Sequence, residues 1–185
     1  PREAKEKGKL ITQPRHFKIG EPENAWQHCT HIFEGKADSN GQEHLYIETQ
    51  GAYSVPLENG SIKIYSSTQG PTAVQRITAR VLGLAMHQIE VDVTRLGGGF
   101  GGKEDQATTW AIMCALATQH LKKPVKYSLD RMDDMRMTGK RHPYSSDFKI
   151  GLDKDLKIIA YEATFYQNAG AAADLSPAVM ERTLF

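Results

Sequence analysis

The stretch Gln88-Ile89-Glu90-Val91-Asp92-Val93-Thr94-Arg95-Leu96-Gly97-Gly98-Gly99-Phe100-Gly101-Gly102-Lys103-Glu104 changes its periodicity abruptly. Over 88–94, Ile89, Val91 and Val93 face one side and Glu90 and Asp92 the other, the alternation of a half-buried strand. Five glycines in six positions follow, interrupted by Phe100. From Asp105 to Leu121 the period becomes helical, with Trp110, Cys114, Ala117 and Leu121 on one face. Strand, glycine loop and helix in direct succession anchor the reading of the chain.

Upstream, His44 to Val55 reads as a strand carrying Tyr46, Ile47, Tyr53 and Val55. Pro56 ends it. Asn59-Gly60 then marks a hairpin, because both residues tolerate positive φ. Ile62 and Ile64 alternate with Ser61, Lys63 and Tyr65 in the partner strand. Pro71 opens a helix whose first turn needs no N–H from it. Val74, Ile77, Val81 and Leu82 form its apolar stripe, and Gly83 ends it. Downstream, 125–129 is a short strand and 130–137 a short helix ended by Gly139. Tyr144 to Ile150 and Ile158 to Tyr166 form a last hairpin through Gly151-Leu152-Asp153. Residues 170–185 have no clear period. The order β-β-α-β-α-β-α-β-β predicts an α+β domain, a mixed β-sheet with helices layered on it.

The 185 residues are read as one domain, 1–185, cut from a longer chain at both ends: there is no initiator Met, and the chain stops at Leu184-Phe185 without a tail. Net charge is +1, from 23 basic and 22 acidic residues, which gives no reason to expect nucleic acid or an anionic membrane as partner. No apolar run reaches the roughly 18–20 residues that span a bilayer. Cys29 and Cys114 form no C-x-x-C and are expected as reduced thiols of a cytoplasmic protein. His28-Cys29-Thr30-His31 sets metal-binding types side by side, but adjacent ligands rarely reach one ion with good geometry.

Glycines between a strand and a helix let a ligand approach the backbone, and the exposed N–H groups there suit an anion. Three readings compete. Gly97, Gly102 and Lys103 satisfy G-x-x-x-x-G-K, but a P-loop needs Ser or Thr next, and here Glu104 would repel phosphate. Gly97, Gly99 and Gly102 satisfy G-x-G-x-x-G, but no run of βα units surrounds them. The third reading is a cofactor site in which Phe100 and Glu104 take part as well as backbone. Taken singly, Glu104 could merely serve the helix N-terminus, Gln69 could cap the helix at Pro71, and Arg182 could be a solvated arginine.

Arg95-Leu96-Gly97-Gly98-Gly99-Phe100-Gly101-Gly102-Lys103-Glu104 resembles the cofactor loop of the xanthine dehydrogenase/oxidase family of molybdenum hydroxylases. Gly41-Gln42-Glu43-His44-Leu45-Tyr46-Ile47-Glu48-Thr49, Ser67-Thr68-Gln69, Asp130-Arg131 with Thr138-Gly139-Lys140-Arg141-His142-Pro143, Asp174-Leu175-Ser176 and Met180-Glu181-Arg182 resemble further segments of that family, in its order. The resemblance implies a domain of the molybdenum-cofactor-binding type. It implies that Gln69 approaches the molybdenum ligands, that Gly99, Phe100 and Gly101 bind the cofactor near the metal through backbone, and that Glu104 and Arg182 hold a purine and act in catalysis. Arg182 would stabilise negative charge building on the substrate. The implied reaction hydroxylates a heteroaromatic carbon with oxygen from water, hypoxanthine or xanthine going to urate. The resemblance further implies molybdenum-molybdopterin in this part, FAD and 2Fe–2S clusters in other domains or subunits, a C-terminal molybdopterin-binding domain, and a homodimeric full assembly. The family's general-base glutamate sits in a G-x-G-E segment that this chain lacks, so the chain alone is expected to be inactive. The alternatives are an aldehyde or other N-heterocycle oxidoreductase of the same family, and a nucleotide-binding module.

Overall fold

The structure, a computed structural model, describes residues 1–184. The chain divides into two compact units, Glu43–Arg141 and the combination of 1–42 with 142–185.

The unit Glu43–Arg141 is built on a four-stranded mixed sheet in the order β4-β3-β2-β5. Its strands are β2 (Gly51–Pro56), β3 (Ile62–Ser66), β4 (Ile89–Asp92) and β5 (Val125–Ser128). β2 runs antiparallel to β3 and to β5, and β3 runs parallel to β4. The β2–β3 hairpin turns at the expected Asn59-Gly60, both at positive φ, 56° and 75°. Helix α3 (Pro71–Leu82) crosses from β3 to β4, with Pro71 in its first turn and Gly83 at φ 68° closing it, as expected. Helix α4 (Ala107–Leu121) joins β4 to β5, and α5 (Arg131–Met137) follows. Asp130 caps α5 by accepting from the N–H of Asp133, and the helix ends at Thr138, one residue before the expected Gly139.

α3 and α4 pack against each other and on one sheet face. The core between them is Ala52, Ile62, Ile64, Val74, Ala79, Ile89, Ala111, Cys114 and Ala115. The buried stripe of α3 is Val74 and Thr78, flanked by half-buried Leu82, whereas Val81 points to solvent. On α4, Leu121 is likewise exposed, and Thr118 continues the face begun by Ala107, Ala111 and Cys114.

The second unit holds a three-stranded antiparallel sheet, β1 (His31–Ser39), β6 (Tyr144–Leu152) and β7 (Ile158–Gln167), in the order β1-β6-β7. The β6–β7 hairpin is the expected one. Strand β1, the short helices α1 (Arg2–Glu6) and α2 (Pro22–Trp26), and α6 (Ser176–Leu184) in the tail carry no clear sequence signal. Trp26 and Cys29 press on β6: a Cβ at Gly151 would lie 2.9 Å from the Trp26 ring and 2.2 Å from Cys29 Sγ. The α+β expectation holds, with the strands divided between two sheets.

Candidate functional site

The glycine loop spans the gap between β4 and α4. Gly98, Phe100 and Gly101 have φ of 94°, 53° and 88°. A left-handed phenylalanine costs on the order of 1 kcal/mol, tolerated only where the surroundings enforce it. Phe100 stands at the surface, 73% exposed. Its ring folds back over Gly98, where a Cβ would lie 3.0 Å from Cε2.

The enforcement comes from four side chains that press on glycines. A Cβ at Gly97 would sit 2.4 Å from Glu48 Cβ, one at Gly99 2.4 Å from Gln69 Oε1, and one at Gly102 2.8 Å from His44 Nδ1 and 3.0 Å from Tyr46 Cε1. Residues 44–50 were expected to begin a strand. They form no ladder, and Leu45 takes φ 49°. The alternation there has another purpose: His44, Tyr46 and Glu48 meet the glycines, while Leu45 and Ile47 are exposed.

Hydrogen bonds fix the loop to the same groups. The N–H of Gly97 donates to Glu48 Oε2 at 2.8 Å, and the N–H of Glu48 donates back to Gly97 O at 3.2 Å. Gln69 Oε1 accepts from the N–H of Gly101 at 3.0 Å and of Lys103 at 3.2 Å. The N–H of Gln69 donates to Lys103 O at 2.8 Å. Gln50, wholly buried, donates from Nε2 to Gly102 O at 2.8 Å and to the Tyr46 hydroxyl at 3.1 Å.

Beneath the loop lies a buried charged layer that sequence reasoning missed. Lys103 is 0% exposed. Its Nζ donates to Glu48 O at 2.7 Å, Ser67 Oγ at 2.7 Å and Glu48 Oε2 at 3.1 Å, and lies 4.5 Å from the Tyr46 ring centroid. Burial lowers the ammonium below its ordinary pKa, against the pull of Glu48. Burial works to raise Glu48, but hydrogen bonds from Ser67, the N–H of Gly97 and Lys103 outweigh it and hold the carboxylate below its usual range. Tyr46 is pushed up to about 12, first by burial and then by the carboxylate of Asp134, to which its hydroxyl donates at 2.8 Å. Asp134, fully buried, also accepts from the N–H of Gln50 at 2.6 Å.

These contacts decide between the readings of the loop. The lysine of a P-loop reaches out to phosphate. Lys103 points into the protein and is spent on Glu48 and Ser67, so the phosphate-cradle reading falls. A dinucleotide fold places its glycine loop in a βαβ unit of a doubly wound sheet. Here β4 and β5, the strands flanking α4, lie at opposite edges of the sheet with β3 and β2 between them.

The face left to a ligand is made of amides and one acid. Among the described residues, the N–H groups of Gly98, Gly99 and Phe100 have no acceptor. Locking Gln69 Oε1 on two backbone donors leaves the Nε2 of that exposed side chain as a donor without a partner among the described residues. Glu104 is half-buried and its carboxylate has no partner among the described residues; Oε1 lies 4.0 Å from the Cβ position of Gly101. The helix begins at Ala107, not Asp105, so Glu104 stands ahead of the Gln106 cap rather than in the first turn, which weakens a purely helix-dipole role. No three His, Cys, Asp or Glu side chains converge as a metal site among the described residues. The donors offered fit a metal that arrives held by its own anionic organic ligand. The structure thus brings Gln69, Gly99, Phe100, Gly101 and Glu104 together. Arg182 belongs to the other unit, on the exposed side of α6, with no partner among the described residues. Cys29 donates to Ala25 O, and both cysteines are free thiols. No helix among the described residues is long and apolar enough to cross a membrane.

The family model of the molybdopterin cofactor-binding domain matches residues 3–185. Xanthine dehydrogenase of Emericella nidulans is 42% identical over 183 residues, 98% of this chain and 13% of that protein. Xanthine dehydrogenase/oxidase of Gallus gallus is 39% identical, again over 98% of this chain and 14% of its own length. The chain therefore spans only about an eighth of these relatives. Among solved structures, the aldehyde oxidoreductase of Desulfovibrio gigas superposes with a TM-score of 0.76 over 88% of this chain and 18% of its own, at 23% identity, a likeness of fold alone. Its motifs resemble those of xanthine dehydrogenases, to which it is similar over nearly its whole length, and the chain belongs to the molybdopterin cofactor-binding domain family.

Proposed function

We propose that this chain forms part of the molybdenum-cofactor and substrate site of a hydroxylase that oxidises purines, hypoxanthine or xanthine to urate. The observation that carries the reading is the loop face itself: a Gln69 amide held by its oxygen, and, among the described residues, backbone N–H groups at 98–100 and a Glu104 carboxylate that have no partner. Bound molybdopterin supplies the redox chemistry of the carbon hydroxylation. The residues of this chain bind and polarise. Gln69 Nε2 would donate to the ligands around the metal, and the N–H groups of Gly99 and Phe100, with the Gly101 backbone that Gln69 Oε1 holds, would line the cofactor. Glu104 accepts from, or shares a proton with, the purine ring, and the Arg182 guanidinium offsets negative charge as it develops on that ring. Similarity to xanthine dehydrogenases at 39–42% identity supports a purine rather than an aldehyde. In this reading the general base, the FAD and iron–sulfur centres, the C-terminal molybdopterin-binding domain and the homodimer contact belong to the rest of a cytoplasmic enzyme, and this chain alone forms no urate.

The test is Glu104→Ala and Arg182→Ala in the full-length parent enzyme. Each is expected to lower purine kcat/KM by roughly 10²–10³-fold, the scale of a lost transition-state partner, with molybdenum content unchanged. Wild-type purine turnover by either variant overturns the role of that residue.

A further inference from the structure

Helix α6 is attached to its neighbouring hairpin less by an apolar stripe than by a chain of side-chain hydrogen bonds. At its first residue, Ser176 is 2% exposed; its Oγ is 2.8 Å from His142 Nε2, and its carbonyl accepts from Gln167 Nε2 at 3.0 Å. At its last turn, Thr183 Oγ1 lies 2.8 Å from the Tyr144 hydroxyl. The Tyr144 hydroxyl also reaches Gln167 Oε1. Gln167 on β7 therefore holds the start of α6 directly and, through Tyr144 on β6, its last turn.

The protons in this chain have one consistent order. Gln167 gives an N–H to Ser176 O, which fixes its other end as an acceptor. Tyr144 has a single proton, and Gln167 Oε1 can only accept, so Tyr144 donates there. The contact between Tyr144 and Thr183 then needs the Thr183 proton, which has an alternative in Val179 O at 3.1 Å. Without the tyrosine hydroxyl, Thr183 turns to Val179 and the helix keeps its own hydrogen bonds. What is lost is the link between the last turn of α6 and the sheet. The neighbour of Thr183 in that turn is Arg182.

We infer that Tyr144, with Gln167, is a positioning residue that fixes the last turn of α6 and so the placement of the Arg182 guanidinium; this rests on the role proposed above for Arg182. Charge stabilisation depends steeply on geometry, so loosening the turn weakens the transition state more than the binding of substrate.

The experiment is a double-mutant cycle in the full-length parent enzyme, with Tyr144→Phe, Arg182→Ala and the pair, scored by purine kcat and KM, molybdenum content and thermal midpoint. Tyr144→Phe is expected to lower kcat about fivefold, the worth of one neutral hydrogen bond, with KM and molybdenum content near wild type. In the Arg182→Ala background the same change is expected to cost nothing further. An equal fivefold loss in both backgrounds, or no loss in either, overturns the positioning role. Arg182→Ala with wild-type purine turnover overturns the functional reading itself, and the positioning role with it. Thr183→Val breaks the same link from the helix side and must reproduce the result; it supplies the answer if Tyr144→Phe does not fold.

Discussion

Gly99→Ala isolates the loop support in one methyl group. Gly99 does not adopt positive φ, so alanine meets no backbone penalty there. The added Cβ would sit 2.4 Å from Gln69 Oε1, 2.5 Å from its Cδ and 2.8 Å from its Cγ. Ordinary van der Waals contact begins near 3.4 Å, so the carboxamide must retreat by about 1 Å. Its bonds from Gly101 and Lys103, now 3.0 and 3.2 Å, then fall outside hydrogen-bond range. Two neutral bonds at about 1 kcal/mol each make about 2 kcal/mol, which is about thirtyfold in the population of the binding-competent loop. The assay is retention of molybdenum and pterin by the full-length parent enzyme during dialysis, and retention should weaken by about that factor. Combining the change with Gln69→Ala removes the clashing group, so Gly99→Ala should add little to the loss caused by Gln69→Ala. Undiminished retention in Gly99→Ala refutes the reasoning, as does a full second loss in the double variant.

Other consequences are as direct. Lys103→Met leaves Glu48 and Ser67 without their ammonium donor. Because Glu48 is part-exposed, the loss of stability should be about 2–4 kcal/mol, toward the low end for a broken buried pair, read as a lower urea midpoint. Tyr46 ionises at about 12 when folded against an ordinary value of 10. A raised acid favours its neutral form, so its contribution is whole below pH 10 and lost between pH 10 and 12, amounting to about 2–3 kcal/mol. Tyr46→Phe should flatten the unfolding free energy over that window relative to wild type, and parallel curves would show that the phenol does not carry the effect. Gly151→Ala drives a methyl into Cys29 and Trp26; alkylation of Cys29 by a thiol reagent should then run several-fold faster, and an unchanged rate would mean the segment is held elsewhere.

What the sequence made legible is what is local. Asn59-Gly60, Pro71 and Gly83 set a turn and two helix ends by their own dihedral preferences, and the structure places each where expected. Strand β1 stayed hidden because its partner β6 lies more than 100 residues away and its own residues are almost all exposed, so no alternation marks it. Helix α6 lacks a readable period, its one fully buried residue being Ser176, and hydroxyls and an amide tie it to its hairpin. Segment 44–50 alternates as a strand does, but toward glycines rather than a core. The loop was legible as a candidate ligand site, and Gln69, Phe100 and Glu104, which the fold brings together there, could be named as candidates. Lys103 could not be understood: a lysine reads as solvated, and its burial depends on Glu48 and Ser67, which only the fold brings beneath it.

That inverted lysine belongs to a broader asymmetry of the loop. Its underside is written in side chains, and most of the surface it turns outward is written in main chain, which every amino acid shares. Swapping letters at 97–99 or 101 can therefore scarcely recode what the loop recognises; it can only spoil the cast. The adjustable controls are the side chains that hold it, Glu48, Gln50 and Gln69, each hydrogen-bonded to the loop's peptide groups. A search for altered ligand preference should start from those supports, and would miss much of the useful variation if it sampled only the loop residues themselves.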